Sequence, residues 1–179
     1  MKQKLLKLLK ENAYQKKEVK LSSGKISNFY IDARKVSLSS EGIYYISNLF
    51  SQHLEQKQVD AFGGPTLGAD PIVGGVCLIA EQNGKNLPGF LIRKNPKKHG
   101  QRKMVEGPEL KSGSRVILCD DVATSGGSLL AAKKALNDQG IQVEEIMVVV
   151  DRNEGAREAL AKEGCKLFSL FTKSDFLTE

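Results

Sequence analysis

The sequence is short of cysteine and of aromatic residues, with 3 cysteines and 6% Phe, Trp and Tyr among 179 residues. The cysteines, Cys77, Cys119 and Cys165, are odd in number and far apart, which excludes a disulfide framework and a CxxC metal knuckle. No apolar run approaches the ~20 residues that a membrane-spanning helix needs. The opening MKQKLLKLLKE interrupts leucine with lysine instead of building the unbroken apolar centre of a signal peptide. A cytoplasmic chain with no membrane attachment is the expectation. Also missing are GxxxxGK[ST], the Walker phosphate loop, and GxGxxG, the dinucleotide-binding turn. There is no repeat, low-complexity tract or interdomain linker, so residues 1–179 are expected to form one domain, with 40% hydrophobic residues to build its core.

Acidic residues are absent where basic ones concentrate. The formal charge is +6, and RKNPKKHGQRK alone places Arg93, Lys94, Lys97, Lys98, Arg102 and Lys103 within residues 93–103. Such a segment suits a solvated loop, a nucleic-acid patch or a clamp on a small polyanion. It carries no interleaved aromatics of the kind that stack on bases.

Apolar period and punctuation organise the rest. Leu5, Leu6, Leu8, Leu9 and Ala13 predict an N-terminal amphipathic helix, and LSSGKISNFYIDARK predicts a strand-like stretch ending near Arg34. Ser39 or Ser40 is placed to cap a helix over 41–57, with Glu41 in its first turn. Short β-rich runs then alternate with helices: VDAFGG and a helix over 67–82, PGFLIRK and the basic loop, SRVILCD and a helix over 127–139, EEIMVVVD and a helix over 154–163, then KLFSLFT. The runs VILC and IMVVV do not alternate, as expected of strands covered by helices on both faces. The predicted class is α/β, with a mainly parallel central sheet flanked by helices. Residues 95–112 form the one long irregular stretch.

In an open α/β sheet ligands bind beyond the carboxyl ends of the strands. Three polar or glycine-rich segments follow apolar runs: GGPTLGAD at 63–70, DDVATSGGS at 120–128 and DRNEGA at 151–156. Asp120 and Asp121 are two rigidly held acceptors, suited to the vicinal hydroxyls of a ribose or to a hydrated divalent cation. Thr124, Ser125, Gly126, Gly127 and Ser128 bring hydroxyls and backbone N–H groups to a helix N-terminus, where phosphate is favoured. Together these residues describe a site for a phosphorylated sugar.

The segment VILCDDVATSGGS resembles the phosphoribosyl-diphosphate (PRPP) signature of the type I phosphoribosyltransferases. With LSSGKISNFYIDAR, GGPTLGADP, RKNPKKHG, VEG and DRNEGA it is similar, over about residues 20–156, to the orotate phosphoribosyltransferase family. The resemblance implies the type I fold with a small N-terminal hood over about residues 1–38 and a mobile basic loop over 93–110. It implies Mg²⁺-dependent transfer of the 5-phosphoribosyl group from PRPP to orotate, giving orotidine 5′-monophosphate and pyrophosphate in pyrimidine biosynthesis. Asp120 and Asp121 would hold the ribose hydroxyls, and Val122, Ala123 and the 124–128 loop the 5′-phosphate. The GGPTLG turn would face the pyrophosphate, with Mg²⁺ held mainly through PRPP.

By the same resemblance Arg93, Lys94, Lys97 and His99 match PRPP-binding basic residues, some reaching the other subunit of a homodimer. Thr124 and Arg152 match positions that contact orotate, and Phe29-Tyr30 falls where an aromatic stacks on the pyrimidine. Lys97, at the leaving group, is the first catalytic candidate and Asp121 the second. Ser22 and Gly68 stand where some members of the family carry lysine. His53 and Cys119 are read as structural. The alternatives are transfer to another base, or a PRPP-sensing regulator that binds nucleic acid; the DRNEGA arginine and KKHG weigh against the regulator. No partner nucleic acid is expected, and with Glu179 soon after the last predicted strand no fused decarboxylase is expected.

Overall fold

The computed structural model describes residues 1–16, 19–20, 26–27, 29–93 and 104–177. The N-terminal region comprises α1 (Lys2–Asn12), the short strands β1 (Tyr14–Gln15), β2 (Val19–Lys20), β3 (Ile26–Ser27) and β4 (Tyr30–Ile31), and the short helix α2 (Arg34–Ser37). Then follow α3 (Ser40–Leu54), β5 (Ala61–Pro65), α4 (Ala69–Gln82), β6 (Gly89–Ile92), β7 (Val105–Glu106), β8 (Arg115–Ala123), α5 (Gly127–Asn137), β9 (Gln142–Asp151), α6 (Ala156–Lys162), β10 (Lys166–Thr172) and α7 (Ser174–Leu177).

The main sheet has the order β10-β9-β8-β5-β6-β7. It is parallel except for the edge pair β6–β7, which is antiparallel. The apolar runs of β8 and β9 serve both faces alternately. Ile117, Cys119, Met147 and Val149 enter the core beneath α1, α3 and α4, whereas Val116, Leu118, Ile146 and Val148 pack under α5 and α6. That division explains why neither run alternates in sequence.

Ser39 caps α3, its Oγ accepting the N–H of Gly42 at 3.1 Å. α1 buries Leu5 and Leu9. The strand-like reading of LSSGKISNFYIDARK is corrected: β3 and β4 are two residues each, and Arg34 begins a helical turn instead of ending a strand. β4 pairs with β1, and β2 with β3, each antiparallel. The irregular basic segment is also shorter than expected, because Val105 and Glu106 pair with Ile92 and Leu91 at the sheet edge.

The order of strands fixes where a ligand can enter. From β5 the chain passes to β6 on one side of the sheet, and from β8 it passes to β9 on the other. The switch between these directions lies between β5 and β8, and opens a crevice at their carboxyl ends.

Candidate active site

A cleft of about 330 Å³ occupies this crevice. Its walls are the loop after β5 (Thr66, Leu67, Gly68), the end of β8 with the following loop (Asp120, Asp121, Val122, Thr124, Ser128), Arg152 after β9, and Tyr30, Asp32 and Arg34 from the N-terminal region. The sheet thus brings together three segments that are separated by tens of residues in the chain.

Asp120 is buried and Asp121 half-buried. The backbone N–H of Asp121 donates to Oδ1 of Asp120 at 2.9 Å, and that of Val122 to Oδ1 of Asp121 at 2.8 Å. Burial raises the carboxyl of Asp121 above its ordinary range, against the opposing effects of its hydrogen bonds and of the Arg34 charge. Arg34 is held by Asp32 at 2.9 Å. A Cβ at Gly68 would collide with the carboxylates of Asp120 and Asp121, so the loop after β5 lies directly against them.

The helix α5 starts at this wall. Its N-cap, Gly126, has φ 82°, a left-handed conformation that a residue with a Cβ adopts only with strain. Among the described residues no side chain caps α5, and Ser128 in its first turn lines the cleft, with Ser125, Gly127 and Ser128 exposed. Uncapped donors at the positive end of a helix dipole are suited to a phosphate.

Arg152 is buried, yet it lines the cleft. Its Nη2 donates to the carbonyl of Phe29 at 2.6 Å and lies 3.0 Å from Oε1 of Glu154, while its backbone N–H donates to the carbonyl of Ala123 at 3.0 Å. Phe29 is itself buried, its ring centroid 5.1 Å from that of Tyr14 and 5.5 Å from that of Phe176. Of the Phe29-Tyr30 pair, only Tyr30 therefore reaches the cleft.

Among the residues singled out from sequence, Asp120, Asp121, Val122, Thr124, Ser128 and Arg152 line one cavity. Ser125, Gly126 and Gly127 are in the adjoining loop and helix start. The side chain of Ala123 is packed in the core, leaving its backbone as the part that serves the loop. Arg93 stands at the end of β6, 3.5 Å from Glu106, and is not part of the cleft wall. Lys94, Lys97, His99 and Ser22 lie outside the described residues.

Cys119 is wholly buried, and burial holds its thiol well above the ordinary range, as befits a packed side chain rather than a nucleophile. His53 is structural as well, 2.8 Å from Glu145 and stacked on Phe168 at 3.8 Å between centroids. The GGPTLG turn is in the cleft wall through Thr66, Leu67 and Gly68, while sequence reasoning missed Asp32 and Arg34. Both follow the aromatic pair in IDAR, and a change from apolar to charged residues at the end of an extended run is the signal that could have located them.

A parallel sheet with a switch-point cleft, paired aspartates at one strand end and an uncapped helix N-terminus beside them is the arrangement of a phosphoribosyl-transferring enzyme. The family model for the phosphoribosyl transferase domain matches residues 45–169. Orotate phosphoribosyltransferase of Aquifex aeolicus is 39% identical over 178 residues, covering 98% of this chain and 97% of that one. The counterpart from Thermosynechococcus vestitus is 40% identical over 175 residues, covering 98% of this chain and 92% of its own length. The crystal structure of Mycobacterium tuberculosis orotate phosphoribosyltransferase in complex with PRPP superposes with a TM-score of 0.81 at 30% identity, covering 99% of each chain. The chain belongs to the orotate phosphoribosyltransferase family, a group of pentosyltransferases.

Proposed function

We propose that this protein transfers the 5-phosphoribosyl group from PRPP to orotate in the cytoplasm, releasing orotidine 5′-monophosphate and pyrophosphate. The observation that carries the reading is the convergence of Asp120, Asp121 and the open N-terminus of α5 on one cleft, with the buried guanidinium of Arg152 in its wall. The carboxylates accept the ribose hydroxyls, and the 124–128 loop holds the 5′-phosphate. Arg152 and Thr124 orient the anionic pyrimidine. The ring nitrogen of orotate gives up its proton to solvent or to the departing pyrophosphate and attacks the anomeric carbon as the bond from that carbon to the pyrophosphate oxygen breaks, the electron pair of the broken bond leaving with pyrophosphate. Positive charge at the leaving group comes from the basic residues Lys94, Lys97 and His99, with Lys97 in the catalytic role, and from Arg93, whose place outside the cleft wall of its own chain suits a reach into the partner's site.

The site residues fit Mg²⁺ carried by the substrate. Among the described residues no three His, Cys, Asp or Glu side chains converge as a metal cage. Two carboxylates beside a diphosphate are the usual setting for this cation, with Asp120 and Asp121 as the protein side of it. When bound, Mg²⁺ offsets the charge that develops on pyrophosphate.

The working unit is a homodimer. Leu38, Leu67 and Pro71 line an exposed groove beside the cleft, and Leu78 lies two turns beyond Pro71 on α4. Leu38 is 72%, Leu67 67% and Leu78 60% exposed, an apolar strip of the kind a second copy covers.

The test is the loss of orotate ultraviolet absorbance when the protein is mixed with PRPP and Mg²⁺, with EDTA as control. Metal-dependent loss is expected. PRPP binding without consumption of orotate would refute the choice of base.

A further inference from the structure

The turn that presents Arg152 is held from behind by a second arginine. Asp151 ends β9 with its side chain wholly buried. Its Oδ1 accepts the N–H of Asn153 at 2.9 Å, and its Oδ2 takes Nη2 of Arg157 at 3.1 Å. Arg157, in the first turn of α6, also donates Nη1 to the carbonyl of Leu167 at 2.8 Å and approaches Oγ of Ser169 at 3.4 Å, both on β10. The carbonyl of Asp151 accepts the N–H of Lys173 at 2.9 Å.

Between Asp151 and Arg157 the backbone folds back sharply. Asn153 has φ 54°, a left-handed conformation that asparagine adopts more readily than other residues with a Cβ and that suits a tight turn. The N–H of Asn153 is anchored by the Asp151 carboxylate, and that carboxylate is oriented by Arg157. Charge-assisted bonds of this kind fix direction as well as distance.

We propose that Arg157 is a positioning residue for the pyrimidine subsite: through Asp151 and Asn153 it fixes the turn that aims Arg152 into the cleft. This rests on the reading of Arg152 as an orotate ligand given above. The Arg157 side chain is 49% exposed, but it partners the wholly buried Asp151 carboxylate, so its loss also lowers stability and the melting temperature is read beside the kinetic constants. The side-chain bonds of Arg157 end on β10 and on Asp151, and the 151–156 segment meets the 120–128 wall through backbone bonds, Arg152 N–H to the carbonyl of Ala123 at 3.0 Å and Ala156 N–H to that of Thr124 at 3.1 Å. A loosened turn therefore penalises orotate, through the Arg152 side chain, more than PRPP, whose wall it meets by backbone alone.

The test compares the wild-type chain with Arg157→Met, which keeps an apolar stem, and Arg157→Lys, which keeps a charge able to meet Asp151. Steady-state constants for both substrates are measured with melting temperatures. For Arg157→Met the KM for orotate is expected to rise about tenfold, with the KM for PRPP changed by less than about twofold. Arg157→Lys is expected to recover most of the loss. Unchanged orotate KM, or both KM values rising in step, would overturn the proposal. A wild-type chain that does not consume orotate would instead refute the function on which it rests, so the two failures are distinguishable.

Discussion

Asp121→Asn is expected to make the ligand-free protein more stable and the enzyme far worse. Burial raises the folded-state carboxyl of Asp121, so the folded chain keeps that proton to higher pH than the unfolded chain does. The stability linked to the proton is complete below the unfolded pKa and is lost as pH rises through the folded value. At pH 7 the folded chain carries a desolvated carboxylate at a cost of about 1.4 kcal/mol for each unit by which burial raises it. The amide of asparagine keeps the bond that Oδ1 accepts from Val122 and removes the charge. Urea denaturation at pH 7, without PRPP and with EDTA, should therefore show a higher midpoint for the variant. The difference should shrink to nothing on acidification, as the wild-type carboxyl takes up its proton. Activity moves the other way. Losing one charge-assisted acceptor to a ribose hydroxyl costs about 1.5–3 kcal/mol, or roughly 10- to 150-fold in kcat/KM for PRPP. A variant less stable than wild type at pH 7, or one whose kcat/KM for PRPP is unchanged, would refute the reasoning.

Arg152→Ala removes a buried guanidinium bonded to Phe29 and Glu154, and should cost about 3–5 kcal/mol in denaturation together with a selective rise in orotate KM. An unchanged orotate KM would count against its assignment. Gly126→Ala puts a Cβ at φ 82°, 3.3 Å from Cα of Ala156, and should destabilise by about 1–2 kcal/mol while raising the KM for PRPP; equal urea midpoints would show that the strain is relieved. Lys97→Ala should lower turnover far more than PRPP affinity, and equal losses would contradict a role confined to the transition state. Leu78→Glu should shift sedimentation from dimer to monomer, whereas Leu177→Glu, equally exposed but on the C-terminal helix, should not.

The central sheet was legible because its strands bury both faces and so read as unbroken apolar runs with polar ends. VILC followed by Asp120 and Asp121, and IMVVV followed by Asp151 and Arg152, each marked a strand and its ligand-facing terminus in one pattern. The N-terminal region was less legible. Its strands are two residues long, too short to establish a period of two, and their pairings β1–β4 and β2–β3 give the chain no repeat that one sequence window can register. Phe29 and Tyr30 are adjacent, and only the pleat decides that the first enters the aromatic cluster with Tyr14 and Phe176 while the second reaches the cleft. The role of Arg157 was hidden for a related reason. It lies outside DRNEGA, and its importance depends on β10 lying beside β9, which is a property of the sheet and not of the local chain.

The buried charges differ in what offsets them, and that difference locates the chemistry. Glu145, in the opposite half of β9 from the cleft, is met by His53 at 2.8 Å and Lys57 at 3.2 Å. Asp151 is met by Arg157, and Arg152 by Glu154. Each is a charge partnered by protein, as burial requires. Asp121 receives the N–H of Val122 and the field of the Arg34 charge, yet burial still works against its ionised form. In the proposed reaction, hydroxyl donors and a cation brought by PRPP would offset that burial cost at Asp121. The same desolvation that makes Asp121→Asn stabilising without ligand would thus favour, on the proposed reading, a substrate that arrives with its own hydroxyls and metal.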